Sequence, residues 1–280
     1  MTNLAKIAAF ASAFLIGHAV ECASAQSQSD GTVVELETPL ASSHPLQGYL
    51  RRPYGTGPSP AIVLMHSCKG NWRHIDERWG KRIASWGYAA LSVDSFGPRG
   101  IKTTCRDSTS TDFASDAYRA LDFLAQQPSV DPARVAAVGF AMGGFFVLSS
   151  VERGIAEQAS SNKFRAAVAF YPPCAGLKGD LTVPTLILIG ERDDLNSADE
   201  CRNLVAGRDG WGISRQKDRA IPIKLVVYPD AYHGFDVPGF ATPVKYLGHH
   251  LEFNQAVADQ AAVALHEFLD ATIGGKVPGQ

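Results

Sequence analysis

Along the chain, short apolar runs recur, each closed by glycine, proline or a polar turn, with helical patterns between them. The runs at 46–52, 61–66, 88–93, 134–139, 165–170, 185–189 and 223–228 are nearly unbroken stretches of Val, Ile, Leu and Ala. A strand exposed on one face alternates apolar with polar; a strand apolar at successive positions belongs to a parallel sheet covered on both faces. Helical patterns occupy 76–86, closed by Gly87 as a C′ glycine, and 115–127, where Ala117, Leu121 and Leu124 share one face. Two more lie at 197–205 and 255–269, and Asp131-Pro132 opens a turn ahead of the fourth run. Strands alternating with helices predict right-handed crossovers and one α/β domain. No linker, repeat or low-complexity block follows Ser29.

The N-terminus departs from this pattern. Lys6, an apolar run over 7–17 and Ala23-Ser24-Ala25 form the n-region, h-region and A-x-A site of a secretory signal peptide. The run is too short to span a bilayer, which takes about 20 residues, and the charged Glu21 before Cys22 argues against a lipid anchor there. Cleavage after Ala25 is expected, giving a single domain over 26–280, periplasmic or secreted, with no membrane span in the mature form. Cleavage also removes Cys22, so four of the five cysteines remain in a compartment where disulfides persist.

Composition adds two exclusions. Of the 280 residues 45% are hydrophobic, which is incompatible with intrinsic disorder. The 26 Lys+Arg against 28 Asp+Glu leave no basic surplus for a nucleic-acid partner.

The chemistry concentrates in Val135-Ala136-Ala137-Val138-Gly139-Phe140-Ala141-Met142-Gly143-Gly144. A strand, a glycine-flanked turn and a helix make a nucleophile elbow, in which a strained turn lifts the central side chain above the sheet and the helix N-terminus stabilises developing negative charge. The central residue here is Ala141, which has no lone pair. Three readings follow: a nucleophile replaced deliberately, a natural non-catalytic protein, or a chance match. The flanking segments favour the elbow. Thr185 to Gly190 is a buried run leading to Asp193, with Asp194 as the adjacent alternative, and Tyr228-Pro229-Asp230-Ala231-Tyr232-His233 places a loop histidine after the next one. The order nucleophile, acid, histidine is that of α/β-hydrolases, and sites in open α/β sheets lie at the carboxyl ends of strands.

From about Val33 to Leu269 the sequence resembles the dienelactone hydrolase family of α/β-hydrolases. The residues carrying the resemblance are Leu64-Met65-His66-Ser67-Cys68-Lys69-Gly70, Val93-Asp94-Ser95-Phe96-Gly97-Pro98-Arg99-Gly100, Ala136 to Gly144, Gly190 to Asp193 and Ala231 to Phe235. The resemblance implies the α/β-hydrolase fold and hydrolysis of a small ester or lactone through a Cys or Ser nucleophile, without a cofactor. Two positions depart from it: Ala141, and Ser67 where a glycine commonly follows the strand-end histidine. In the expected scheme position 141 attacks the carbonyl, His233 acts as base, Asp193 orients its ring, and the N–H groups of Met142 and Cys68 form the oxyanion hole.

Further candidates each carry a simpler reading. Arg99 is a clamp for a substrate carboxylate or a brace for its own loop. Trp72, Phe96, Tyr171 and Phe235 line a substrate pocket or pack the loops. His66 holds the oxyanion loop. His249, His250 and His266 lack the spacing of a metal site, and none is expected. The cysteines are expected to pair as Cys68–Cys105 and Cys174–Cys201, each joining loops at one end of the sheet. The connection 207–220, with Trp211, reads as a lid or a surface insertion.

Overall fold

The computed structural model describes Met1 and residues 31–36, 46–55, 57–106, 113–158, 160–208, 221 and 223–274. The signal-peptide reading beyond Met1, and positions 209–220 of the connection with Trp211, fall outside the described residues.

The apolar runs become the strands β2 (Leu46–Arg51), β3 (Ser59–Met65), β4 (Ala89–Asp94), β5 (Val130–Phe140), β6 (Ala166–Phe170), β7 (Thr185–Gly190) and β8 (Ile223–Tyr228). A further strand, β1 (Thr32–Leu36), adds an outer edge. The sheet runs β1-β2-β4-β3-β5-β6-β7-β8. β1 with β2 and β2 with β4 are antiparallel; the pairs from β4 through β8 are parallel. Every residue of β6 and β7 is buried, as their unbroken apolar sequence requires.

Between β3 and β4, α1 (Trp72–Ile75) continues through a π-helical turn (Asp76–Gly80) into α2 (Lys81–Ser85), and Gly87 follows with φ 96°. α3 (Phe113–Ala125) joins β4 to β5; α4 (Met142–Ser150) and α5 (Ile155–Gln158) join β5 to β6. α6 (Ala198–Val205) joins β7 to β8, and α7 (Gln255–Thr272) follows the last strand. The chain steps from β3 outward to β4, then jumps back past β3 to β5. Right-handed crossovers taken in opposite directions place their helices on opposite faces of the sheet. The reversal point lies between β3 and β5, where a ligand site is expected beyond the carboxyl ends of the strands.

Local chemistry sets the details. Ser197 caps α6 by accepting the N–H of Asp199, and Asn254 caps α7 by accepting that of Val257. The turn expected at Asp131-Pro132 is a bulge inside β5: Asp131 accepts the N–H of Ala133 at 2.9 Å, and the pairing with β3 jumps from Ser59↔Val130 to Ala61↔Val135. A small hairpin, β9 (Val244–Tyr246) and β10 (His249–Leu251), turns at Leu247 and Gly248, both with positive φ. Among the described residues no helix is long and apolar enough to cross a membrane.

Cys68 bonds to Cys105 and Cys174 to Cys201, the two pairs expected. The second ties the loop after β6 to α6. Its 27-residue separation predicts that Cys174→Ala with Cys201→Ala lowers stability by about 3 kcal/mol through the entropy of the unfolded chain, measured by denaturant unfolding under oxidising conditions.

Candidate active site

β5 ends at Phe140 and α4 begins at Met142, so Ala141 alone makes the reversal. It does so at φ 52° and ψ −117°, a conformation that costs a non-glycine residue about 1–3 kcal/mol. Two glycines make the turn possible. A Cβ on Gly139 would stand 2.2 Å from the carbonyl oxygen of Gly143, and one on Gly143 would stand 2.4 Å from those of Met65 and His66. The first turn of α4 therefore lies directly on the end of β3. The Ala141 N–H donates to the Phe170 carbonyl at 2.9 Å, which fixes the elbow to β6.

Both expected oxyanion donors sit at this contact. Met142 is the first residue of α4, so its N–H has no acceptor within the helix and lies at the positive end of the helix dipole. Cys68 follows β3 in the segment against which Gly143 is pressed. Its carbonyl accepts the Thr104 N–H at 2.9 Å and the Thr103 hydroxyl at 3.0 Å, alongside its bond to Cys105. His66 holds the start of this loop. Nδ1 lies 2.8 Å from the Ser67 carbonyl, which can only accept, so Nδ1 carries the proton; Nε2 then accepts the Ser95 N–H at 3.2 Å. Complete burial pushes the pKa of His66 below its usual 6.5 and keeps the ring neutral.

The acid and histidine meet beyond the ends of β7 and β8, two and three strands away from the elbow strand β5. His233 Nδ1 lies 2.8 Å from Asp193 Oδ2, and both residues are buried. The other Asp193 oxygen accepts the N–H groups of Leu195 at 3.0 Å and Asn196 at 2.8 Å. Asp194 turns instead to the hairpin, accepting the His250 N–H at 2.9 Å. Asp193 is thus the residue that orients His233, whose Nε2 is left as the proton acceptor.

Tyr171 connects the two halves. It follows β6, adjacent to the elbow, with φ 40°, and its ring stands edge-on to His233 with centroids 4.6 Å apart. Its carbonyl accepts the Asn196 side chain at 2.7 Å, and its hydroxyl donates to Asp236 at 2.7 Å. Asp236 is also buried; it accepts the indole N–H of Trp79 at 2.7 Å and pairs with Arg78 at 3.0 Å. Burial, with the Asp236 charge beside it, raises the Tyr171 pKa far above 10, so the phenol stays a donor. Sequence patterning missed Asn196, Asp236, Trp79 and Arg78 as parts of this support. The available signal was Asp236 itself, a lone carboxylate directly after His233-Gly234-Phe235.

Two expectations are corrected. Arg99 does not reach toward a substrate carboxylate. It grips Asp116 of α3 with both terminal nitrogens, at 2.5 and 2.6 Å, and donates to the Ser95 carbonyl at 2.9 Å. Its charge is spent bracing its own loop, because Asp116 is the buried carboxylate within reach. Phe235 is wholly buried between Phe170, Tyr171 and Tyr228, so its ring packs the core. Trp72 packs against Tyr49 of β2, and Phe96 packs on His66 at 4.5 Å. His250 pairs with Glu252 at 2.7 Å and His266 stacks on Trp86 at 4.3 Å. No group of three or more metal-capable side chains occurs among the described residues.

Two predictions follow from this geometry. Ala141→Gly removes the Cβ strain at φ 52° and is expected to stabilise the chain by about 1 kcal/mol, a rise in Tm of about 2–4 °C by calorimetry. His66, with its folded pKa below 6.5, binds its proton more readily when unfolded. Its contribution is complete above about pH 6.5 and is lost as pH falls, by up to about 1.4 kcal/mol per unit until the folded pKa is reached. Urea unfolding between pH 7.5 and 5 is expected to show this slope, and a shallower one in His66→Gln.

Comparison with known proteins agrees with the architecture. The fold matches a dienelactone hydrolase-like promiscuous phosphotriesterase from metagenomic libraries, with TM-score 0.66 and 21% identity over 88% of this chain and 100% of that one. It also matches a thermophilic esterase of Thermogutta terrifontis, with TM-score 0.64 and 19% identity over 90% and 96% of the two chains. By sequence, 123 residues are 31% identical to Esterase FrsA of Escherichia coli O157:H7, covering 40% of this chain and 27% of that one. The matched stretches take in less than half the length of the curated relatives, 47% for a Synechocystis protein and 27% for FrsA. The family model of the dienelactone hydrolases matches residues 46–272. That span runs from the first residue of β2 to the last of α7, through the elbow, Asp193 and His233, and the chain is a member of the dienelactone hydrolase family.

Proposed function

We propose that the chain is an exported hydrolase scaffold for small carboxylic esters or lactones, built for a nucleophile–His233–Asp193 triad and inactivated at its nucleophile by Ala141. The observation that carries this reading is the His233–Asp193 pair, at 2.8 Å, at the same end of the parallel sheet as the strained elbow. A Ser or Cys at 141 would attack the carbonyl carbon and pass its proton to His233 Nε2. The resulting oxyanion would be held by the N–H groups of Met142 and Cys68; its collapse would break the ester C–O bond, the leaving alkoxide taking the proton back from His233, and the neutral His233 would then take a proton from the water that attacks the acyl-enzyme. The methyl of Ala141 supplies no electron pair, so this chain binds the ester without transferring its acyl group. Export rests on the Lys6-to-Ala25 pattern and on two disulfides, which persist in oxidising compartments. A second reading, a natural binding protein on a hydrolase scaffold, uses the same pocket and rests on the alanine itself.

Restoring the nucleophile tests the proposal. Ala141→Ser or Ala141→Cys is expected to raise hydrolysis of short-chain aryl esters and small lactones by on the order of 10⁴-fold, and His233→Ala in that background is expected to abolish the gain. If neither residue produces a gain, the non-catalytic reading stands in its place.

A further inference from the structure

Beside the oxyanion loop, the lining of a small cavity includes His66, Cys68, Ser95, Thr104 and Met142 together with three phenylalanines. Met142 and Cys68, the expected donors to the carbonyl oxygen, belong to this wall, so the cavity adjoins the place where a scissile carbonyl would sit. Most of the lining is apolar: Phe96 packs against Phe113 at 5.3 Å, and Phe113 against Phe146 at 4.6 Å.

Two lining groups break that character. Ser95 is fully buried and its hydroxyl has no hydrogen-bond partner among the described residues; the same is true of the buried hydroxyl oxygen of Thr104. Leaving a buried hydroxyl unpaired costs about 1–3 kcal/mol, so two such hydroxyls on residues that line one cavity mark a place for an oxygen. The neighbouring polar groups are already engaged. Both ring nitrogens of His66 are bound, to the Ser67 carbonyl and the Ser95 N–H. The nearby guanidinium, Arg99, is held by Asp116 and the Ser95 carbonyl. Backbone contacts fix both residues in place. Ser95 follows β4 and is bonded through its N–H to His66, while the Thr104 N–H is bonded to the Cys68 carbonyl at 2.9 Å beside the Cys68–Cys105 bridge.

We propose that this cavity is a subsite for a neutral oxygen on the acyl portion of the ligand, a hydroxyl or ether close to the ester or lactone carbonyl, held by Ser95 and Thr104. The assignment names the substrate class of the site proposed above and rests on that reading. Charge decides what the subsite rejects. None of its lining side chains is Asp, Glu, Lys or Arg, and the neutral His66 is its one titratable member outside the disulfide. A carboxylate or an ammonium placed here would be desolvated without an opposite charge, which is far more costly than burying a paired neutral oxygen. The free volume, about 10 Å³, admits a single oxygen-sized group.

The test has two arms that fail separately. In the unaltered chain, α-hydroxy-γ-butyrolactone is expected to shift the NMR signals of Ser95, Thr104 and Phe146 and to bind about tenfold more tightly than γ-butyrolactone, the worth of one good hydrogen bond. Ser95→Ala and Thr104→Val are each expected to remove that preference while leaving γ-butyrolactone binding within about twofold. In the Ala141→Ser background, kcat/KM is expected to favour aryl methoxyacetate over aryl butyrate, and each substitution to cancel that preference. Absence of hydrolysis by any position-141 variant overturns the catalytic reading alone, since the binding arm still decides the subsite. Hydrolysis and binding that do not distinguish oxygenated from plain ligands overturn the subsite. So does a loss of stability in Ser95→Ala and Thr104→Val with unchanged preference, which assigns the hydroxyls to a structural water.

Discussion

The close approach of Gly143 to the end of β3 is the contact on which the site depends. With no side chain at 143, the first turn of α4 rests on the carbonyls of Met65 and His66; any Cβ would stand 2.4 Å from both. That approach forces the reversal from β5 to α4 into the single residue Ala141. It also brings the start of α4 beside the loop carrying Cys68, so two backbone N–H groups from distant segments adjoin one small cavity. The geometry comes from backbone meeting backbone, and for that reason it is indifferent to the identity of the side chain at 141.

This indifference means that the elbow and the contacts around it stand without any particular side chain at 141. Ala141 and Tyr171 lie at the ends of neighbouring strands, and both hold positive φ. Strained conformations persist where the surroundings over-determine them, and here they are over-determined. Ala141 is bonded to Phe170, while Tyr171 is bonded through its backbone to Leu188 and Asn196 and through its hydroxyl to Asp236. Asp236 collects Tyr171, Trp79 and Arg78 beneath the histidine, so the edge of the Tyr171 ring against His233 has a rigid base. Removing a hydroxyl or thiol from the elbow leaves each of these contacts in place.

The sheet was legible in advance because parallel strands covered on both faces must be apolar at nearly every position, and 165–170 and 185–189 show this plainly. β1 escaped notice: it is a half-exposed edge strand whose Val33 faces solvent. The β9–β10 hairpin escaped for a related reason, since Val244 and Leu247 are exposed and three-residue strands are too short to set a period. Glycine spacing around Ala141 located the elbow, and strand order along the chain located Asp193 and His233. Arg99 shows where such reasoning stops. Its place in a loop at the active end is readable, but the carboxylate it meets belongs to α3, and nothing in the local sequence says that Asp116 will be buried within 2.6 Å of it.

The sequence by itself determined the fold class, the glycine-flanked turn at Ala141, the placing of Asp193 and His233 after successive strands and the two cysteine pairs, because periodicity, glycine placement and loop order are properties of the chain. Tertiary structure paired His233 with Asp193 rather than Asp194, held Arg99 on Asp116, packed Phe235 into the core, recruited Asp236 and Tyr171 under the histidine, and brought Ser95 and Thr104 into the lining of one cavity. Each of those outcomes depends on which groups from separate segments meet in a space without water, where a buried charge or hydroxyl must find a partner.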